Sequence, residues 1–188
     1  GYKLLATGEM GIGNTTTASA ITAVLTGAPI ETVTGRGAGL SDAGLRRKKD
    51  AIARAITVNH PDSNDAFSVL RCLGGLDIAA LAGVCLGGAL NRVPVLLDGF
   101  ISAAAALAAV RMCPACGAYL LASHVSKEPA GMLVLNALGL KPLICAEMCL
   151  GEGTGAVAAM PLLAMALAVY DEMRTFEEID VAAYTPQS

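Results

Sequence analysis

The clearest candidate for chemistry in the sequence is Glu152, which is enclosed by glycines in the run Gly-Glu-Gly-Thr-Gly at 151–155. Glycines on both sides expose the backbone and leave room for a ligand beside the carboxylate. A long apolar run follows, so the carboxylate is expected at a helix N-terminus, where the helix dipole stabilises negative charge. Glu152 is therefore either a general base or only a charged residue at the start of a helix.

A second glycine-rich run, residues 8–16, has the composition of a phosphate-binding turn. Gly11 and Gly13 allow positive φ angles and a close approach of ligand to backbone. A helix that begins near Asn14 or Thr15 would present unpaired N–H groups to an anion. The run is not a Walker A loop, because no Gly-Lys-Ser/Thr follows, and a tight turn without a ligand is the alternative.

Three more polar residues stand at predicted strand ends. Glu9 would repel a phosphate, so it is expected to accept hydrogen bonds from ribose hydroxyls or backbone N–H groups, unless it is only a cap or a surface charge. Asp98, followed by Gly99, either binds a sugar hydroxyl or caps the helix predicted from residue 102. His124 stands alone after a strand, where a structural histidine is more common than a general base.

A glycine-alternating loop around Gly35, Arg36 and Gly37 is suited to an anion-binding nest of backbone N–H groups. A basic run, 46–49, lies about one turn into the next predicted helix. We expect one side chain of this run, Lys48, to reach back to a phosphate as a point charge. The rest of the run is predicted to be a solvated helix face.

Bulk composition limits the class of protein. Of 188 residues 54% are hydrophobic and 15% charged, with a net charge of -3, so a packed core is expected and a general nucleic-acid-binding field is not. The apolar stretch 156–170 is shorter than the roughly 20 residues of a membrane span, which favours a buried or partner-facing helix. No signal-peptide pattern is visible in the sequence, which we expect to be part of a longer chain.

The six cysteines give little sign of a metal or redox centre. Cys113 and Cys116 form the one C-x-x-C pair, no second pair follows at zinc spacing, and neither His60 nor His124 is placed to complete a site. We therefore expect small buried thiols in a reducing cytoplasm, with a redox or metal role as the alternative.

Short apolar strands alternate with longer alanine-rich helices along the chain. This alternation predicts an α/β fold with a mainly parallel sheet and flanking helices, a Rossmann-like arrangement. Ligands of such sheets bind at the carboxyl ends of the strands, which is where the motifs above collect. The predicted strands are 4–6, 93–97 and 119–122; the predicted helices are 14–25, 41–58, 61–74, 78–90, 102–112, 128–138 and 155–173, with a glycine-rich loop at 26–40.

Taken together, five motifs resemble one family, the nicotinate-nucleotide–dimethylbenzimidazole phosphoribosyltransferases. Their order and spacing match the family through nearly the whole chain. The family's chain is about twice as long, and its first half is absent here. Cys149 also stands where the family is expected to have an arginine. The matching motifs are GEMGIGNTT at 8–16, TGRGAGL at 34–40, VLLDGF at 95–100, SHVSKEPA at 123–130 and LGEGTGA at 150–156.

The resemblance implies a pentosyltransferase of cobalamin lower-ligand synthesis, without a metal or other cofactor. Phosphoribose would pass from nicotinate mononucleotide to 5,6-dimethylbenzimidazole. The family's catalytic glutamate falls on Glu152, a second glutamate near the nucleotide falls on Glu9, and the phosphate-binding loops fall on 11–15 and 35–37. The substrate-binding set predicted in this way is Glu9, Gly11, Gly13, Asn14, Thr15, Gly35, Arg36, Gly37, Lys48, Asp98, Gly99 and Ser126.

The resemblance also implies a homodimer in which a small helical domain closes over the partner's site. Residues 1–155 would then be the carboxy-terminal part of the catalytic domain, and 156–188 a helix and tail of the small domain. Neither nucleic acid nor membrane is expected as a partner. The alternatives are a truncated mononucleotide-binding relative without turnover and a nucleotide-dependent kinase or ATPase, which the missing P-loop lysine disfavours.

Overall fold

The computed structural model describes residues 1–182 and 184–185, and a small parallel sheet lies at its centre. The strands are β1 (Leu5–Ala6), β2 (Val95–Leu97) and β3 (Leu120–Ala122), in the order β1-β2-β3. All three residues of β2 are buried, as expected for the central strand of a parallel sheet covered on both faces. Because the strands are parallel, their carboxyl ends meet at one edge, and the segments that follow them are brought together.

Helices surround this sheet, and the alanine-rich sixth helix lies at the centre of the packing. Ten consecutive residues at its start, 100–109, are buried. Its alanines have short side chains, so neighbouring helices approach its backbone closely from several sides. The helices are α1 (Thr15–Thr26), α2 (Ile30–Val33), α3 (Asp42–Asn59), α4 (Ala66–Leu73), α5 (Leu76–Leu90), α6 (Phe100–Met112), a 3-10 helix (Pro114–Tyr119), α7 (Gly131–Leu138) and α8 (Thr154–Glu172).

The structure confirms the α/β class, the three strands and the seven predicted helices, with local differences. Short α2 lies inside the segment predicted as loop. Helix α4 begins later than predicted, because Asp65 caps it by accepting from the Phe67 N–H at 3.0 Å. Helix α7 also begins later, because Pro129 disfavours helical geometry at the residue before it.

Helix α8 is packed only at its beginning. Ala156 and Ala159 are fully buried against Leu96 of β2, whereas Leu167 is 62% and Tyr170 85% exposed. The sequence left two alternatives for this helix, burial within the chain or contact with a partner. Burial within the chain applies to its first turns alone. The expectation that the apolar stretch is too short for a span is wrong. The helix has 19 residues, and an 18-residue window within it has a mean hydropathy of 1.5, so it could cross a membrane by length and composition.

The domain division predicted from the sequence places the tail after α8 in a small helical domain. Part of that tail, residue 183 and residues 186–188, lies outside the described residues.

Two glycines of α5 provide a test of the packing between this helix and the sheet. A Cβ on Gly88 would overlap the side chain of Val95 and lie 2.9 Å from the Val93 carbonyl, whereas a Cβ on exposed Gly83 would meet nothing within 4 Å. We expect Gly88→Ala to lower the free energy of unfolding by about 1–3 kcal/mol through overpacking. Gly83→Ala, the matched control, is expected to raise it by about 0.5–1 kcal/mol, because alanine favours a helix. Urea unfolding measures both, and equal effects would contradict the packing.

Candidate active site

The turn after β1 and the turn before α8 are packed backbone against backbone. The Glu152 N–H donates to the Glu9 carbonyl at 2.9 Å. A Cβ on Gly8 would lie 2.6 Å from the Gly153 nitrogen, and one on Gly151 would lie 2.8 Å from the Glu9 carbonyl oxygen. Only glycine fits on these facing surfaces, and the two glutamates that the sequence presents far apart are held side by side.

Both turns depend on left-handed backbone geometry. Gly11, Gly13, Gly151 and Gly153 have φ angles of 83°, 82°, 77° and 81°. Glu152 itself has a φ of 59°, which is uncommon for a residue with a side chain and concentrates at functional sites. The residue is exposed.

The carboxylate of Asp98 joins the end of β2 to the start of α8. Asp98 is 3% exposed. Its oxygens accept from the N–H groups of Gly153 at 2.9 Å, Gly155 at 2.8 Å and Ala156 at 3.2 Å. The alternative in which Asp98 caps the helix that follows it is wrong. Helix α6 begins at Phe100 with Gly99 as its N-cap residue and has no side-chain cap. The Asp98 carboxylate caps α8 instead.

His124 is a buried neighbour of this carboxylate. Its Nδ1 lies 3.1 Å from the Ser123 hydroxyl and 3.9 Å from an Asp98 oxygen, and its ring packs against Gly99 and Gly155. Burial lowers the pKa of His124, with the nearby Asp98 opposing the shift. Serine and aspartate both face the same ring nitrogen, so the three residues do not form a nucleophile–base–orienting relay, in which they face opposite nitrogens.

Glu9 is fixed by two donors. Its Oε2 accepts from the Gly11 N–H at 2.9 Å and from the Asn14 amide at 2.6 Å. The same Asn14 nitrogen donates to Asp77 at 2.7 Å. Asp77, in the first turn of α5, was missed from the sequence, because the predicted helix began one residue after it and nothing local indicates a contact with Asn14.

Lys48 links the two loops predicted to bind phosphate. Its ammonium donates to the Thr15 hydroxyl and to the Gly35 carbonyl, both at 2.9 Å, and the residue is 6% exposed. Burial lowers the pKa of Lys48, and the charge of Glu128 opposes that shift. Glu128 also packs against Gly35, where no side chain would fit. Lys48 thus reaches back to the two loops, where its ammonium binds their polar atoms; its contact with a phosphate stays a prediction.

Arg36 does not join these residues. Its guanidinium pairs with the Asp42 carboxylate and donates to the Leu40 carbonyl at 2.7 Å. This pairing lowers the pKa of Asp42. Arg36 is half-exposed, and its charge is balanced by Asp42, six residues along the chain.

A cavity of about 130 Å³ lies between the turns. Seven of the predicted residues line it: Glu9, Gly11, Thr15, Gly37, Asp98, Gly99 and Ser126. Six lie outside its lining: Gly13, Asn14, Gly35, Arg36, Lys48 and Glu152. The lining residues that were not in the predicted set are Met10, Ala38, Phe100, Ile101, Ser102, His124, Glu128, Cys149, Leu150 and Gly151.

Two of the added residues carry polar atoms that lack a partner within the described chain. The Ser102 hydroxyl is buried in the first turn of α6, and one carboxylate oxygen of Glu128 is buried beside the cavity. A buried polar atom without a hydrogen bond is costly. Ser102 follows the motif at 95–100 by two residues and Glu128 lies within the motif at 123–130, so their positions in or beside these motifs were the available signal.

The cysteines are all free thiols. The expectation that they are buried is wrong for three, Cys113, Cys145 and Cys149, which are exposed. Burial raises the pKa of Cys85 to about 12, so that thiol is inert. Within residues 1–182 and 184–185, no three His, Cys, Asp or Glu side chains are grouped to hold a metal ion.

The glycine turns and carboxylates lie at the carboxyl edge of a parallel sheet, which is where α/β proteins bind their ligands. A family model described as phosphoribosyltransferase matches residues 1–181. The chain therefore belongs to this phosphoribosyltransferase family.

Individual relatives agree with this assignment. The chain is 53% identical over 182 residues to the nicotinate-nucleotide–dimethylbenzimidazole phosphoribosyltransferase of Desulforudis audaxviator, covering 97% of this chain and 52% of that protein. For the enzyme of the same name from Acetivibrio thermocellus, identity is 51%, covering 100% and 53%. The crystal structure of CobT from Thermus thermophilus matches with a TM-score of 0.91 and 47% identity, covering 98% and 55%. The chain spans about half the length of the curated relatives it matches.

The buried histidine predicts a pH dependence of stability. Because burial lowers the folded-state pKa of His124 below 6.5, the unfolded chain binds a proton first as the pH falls. The contribution of this pKa difference to the free energy of unfolding is complete above pH 6.5 and is lost as the pH falls through the lower folded-state pKa. We expect the drop in unfolding free energy between about pH 7.5 and about pH 5 to be smaller in His124→Asn. His60→Asn, at the exposed second histidine, is the control, and an unchanged drop in His124→Asn would contradict the assignment.

Proposed function

We propose that this chain carries the nucleotide site and the catalytic base of an enzyme that transfers phosphoribose from nicotinate mononucleotide to 5,6-dimethylbenzimidazole. The products are α-ribazole 5′-phosphate and nicotinate, for the lower ligand of cobalamin. One observation carries the proposal. The Glu152 turn lies directly against the Glu9 turn at the carboxyl edge of the sheet, within a chain about half identical to enzymes of that name.

The nucleotide is proposed to lie along the cavity. The N-terminus of α1 has no side-chain cap, so the N–H groups of its first turn, with the Thr15 hydroxyl, are available for a phosphate beside Gly11. Glu9 Oε2 is occupied by two donors, which leaves the other oxygen to accept from a ribose hydroxyl. Ser126 lines the same cavity and adds a hydroxyl.

The chemistry requires a base and no acid. The pyridinium nitrogen of nicotinate mononucleotide is already cationic, so the C1′–N bond breaks with its electron pair leaving on that nitrogen. A benzimidazole nitrogen forms the new bond to C1′ from the opposite face, with inversion. The second ring nitrogen carries a hydrogen that becomes acidic as the ring gains positive charge, and the Glu152 carboxylate accepts that proton.

The acceptor base needs more pocket-lining residues than this chain provides. The cavity of about 130 Å³ is smaller than the roughly 300–1,000 Å³ of typical ligand pockets, and Glu152 is exposed. We propose that the family length not covered here, and a second subunit of a homodimer, complete the pocket and cover the apolar surface of α8. The small-domain assignment of residues 156–188 belongs to this proposal.

The proposed location is the cytoplasm, without a membrane or nucleic-acid partner. Six free thiols fit a reducing compartment. Ala156 and Ala159 of helix α8 are fully buried against β2, so this end of the helix is covered by the chain itself. The net charge of -3 offers no general attraction to phosphate backbones.

Product analysis tests the function. Full-length protein containing residues 1–188, whatever its length, is incubated with nicotinate mononucleotide and dimethylbenzimidazole, and α-ribazole 5′-phosphate is sought by mass spectrometry. We expect Glu152→Gln to lower kcat by about 10²-fold or more, the scale of general-base loss, while nucleotide binding persists. Glu147→Gln is the matched control, because Glu147 is 79% exposed and pairs with Lys127.

Each result has a distinct meaning. Absence of product from the unsubstituted protein contradicts the proposed reaction, and binding without product identifies a non-catalytic mononucleotide-binding relative. Equal rates for the unsubstituted protein and Glu152→Gln remove Glu152 from the role of base.

Two glycines of matched geometry test the phosphate turn. Gly11 and Gly27 have φ angles of 83° and 70°, and neither has a close neighbour where a Cβ would stand. Alanine at either position costs about 1–2 kcal/mol of backbone strain. We expect Gly11→Ala alone to weaken nicotinate mononucleotide binding in calorimetry, by about tenfold or more, because backbone strain at this position displaces the turn that leads into the N-terminus of α1. Equal affinity of the two variants would place the phosphate elsewhere.

A further inference from the structure

A single residue, Asp98, connects all three strand ends to the turn that carries Glu152. The Asp98 N–H donates to the Thr7 hydroxyl at 3.2 Å, at the end of β1. The Ser123 hydroxyl donates to the Asp98 carbonyl at 3.2 Å, at the end of β3. Thr7, Asp98 and Ser123 are each at most 4% exposed. The backbone of Asp98 is therefore fixed by both neighbouring strands before its side chain makes any contact.

From that position the side chain binds the glycine turn. Gly153, on one side of Glu152 in the chain, donates to one oxygen, and Gly155 and Ala156 donate to the other. These donors belong to the N-terminus of α8, whose partial positive charge stabilises the buried carboxylate. A buried carboxylate without such donors would be strongly unfavourable, so the turn and Asp98 stabilise each other.

The Glu152 side chain is not itself held by hydrogen bonds to the part of the chain that the structure describes. Within the described residues its carboxylate makes no hydrogen bond, and the residue is tied to the first turn through its N–H to the Glu9 carbonyl. There is also no room for the turn to shift toward the sheet, because a Cβ on Gly155 would already overlap the His124 ring and lie 2.8 Å from Asp98. The direction of Glu152 follows from where Asp98 holds its neighbours.

We propose that Asp98 is a positioning residue for Glu152 and acts through the N–H groups of the turn. This inference rests on the proposed function of Glu152 and adds a second acidic residue to the same site. Asp98 was first predicted from the sequence to bind a sugar hydroxyl. With three donors on its oxygens, its principal partner is the protein itself.

The test uses Asp98→Asn in full-length protein containing residues 1–188. The asparagine amide replaces one acceptor oxygen with a donor that faces a backbone N–H. We expect kcat to fall about 10²-fold, as for a catalytic group misplaced by about 1 Å, while the Kd for nicotinate mononucleotide changes less than about threefold. Hydrogen exchange followed by mass spectrometry is expected to accelerate in peptides spanning 151–157 and not in β1.

Asp65→Asn is the matched control. Asp65 also caps a helix, by accepting from the Phe67 N–H at 3.0 Å, but it lies outside the cavity lining. We expect it to leave kcat and exchange at 151–157 unchanged. Asp98→Glu is measured in parallel, in case Asp98→Asn does not fold. It keeps the charge but moves the carboxylate by one methylene, and a fall in kcat at unchanged nucleotide affinity is again expected.

The outcomes separate this inference from the proposed function. An unsubstituted protein without activity contradicts the function, whereas accelerated exchange at 151–157 in Asp98→Asn still supports the link to the turn. A large rise in Kd with unchanged kcat would make Asp98 a nucleotide ligand and overturn the positioning role. Unchanged exchange and unchanged kcat would overturn it as well.

Discussion

A carboxylate that is 3% exposed needs donors around it, and at the end of β2 those donors come from a segment about 55 residues later in the chain. The Asp98 carboxylate accepts hydrogen bonds from three N–H groups at the start of α8, and these hydrogen bonds hold the Glu152 turn against the sheet. Without it, the glycines that allow the turn to form would also allow it to move. The remaining geometry of the site follows from this connection, including the close backbone contact between the Glu152 and Glu9 turns.

Much of the fold was predictable because its signals are local. Apolar runs such as Val95–Leu97 are typical of buried parallel strands, and alternating strands and helices define the α/β class. Helix starts were less predictable where a cap decides them, as at Asp65. Helix α8 was predicted to within one residue at each end, because Pro161 is accommodated inside the helix and does not end it.

The site was predictable in its composition and less so in its connections. Glycine turns at strand ends identified Glu9, Gly11 and Glu152 as candidates, since parallel strands bring such turns to one edge. What each side chain contacts depends on residues distant in sequence. Lys48 donates hydrogen bonds to Thr15 and Gly35, whereas Arg36 forms an ion pair with Asp42. No local pattern distinguishes these two basic residues, because the difference arises from the packing of α3 against the loops.

The central claim is that the glycine turn held by Asp98 presents Glu152 to the acceptor base. The most direct measurement is a crystal structure of full-length protein containing residues 1–188 with nicotinate mononucleotide or its product and dimethylbenzimidazole bound. We expect a Glu152 carboxylate oxygen within about 2.6–3.2 Å of a benzimidazole nitrogen. We also expect the phosphate to lie beside Gly11 and Thr15, and Asp98 to keep its hydrogen bonds to the turn. A base whose nitrogen meets another group, with Glu152 directed into solvent, would contradict it.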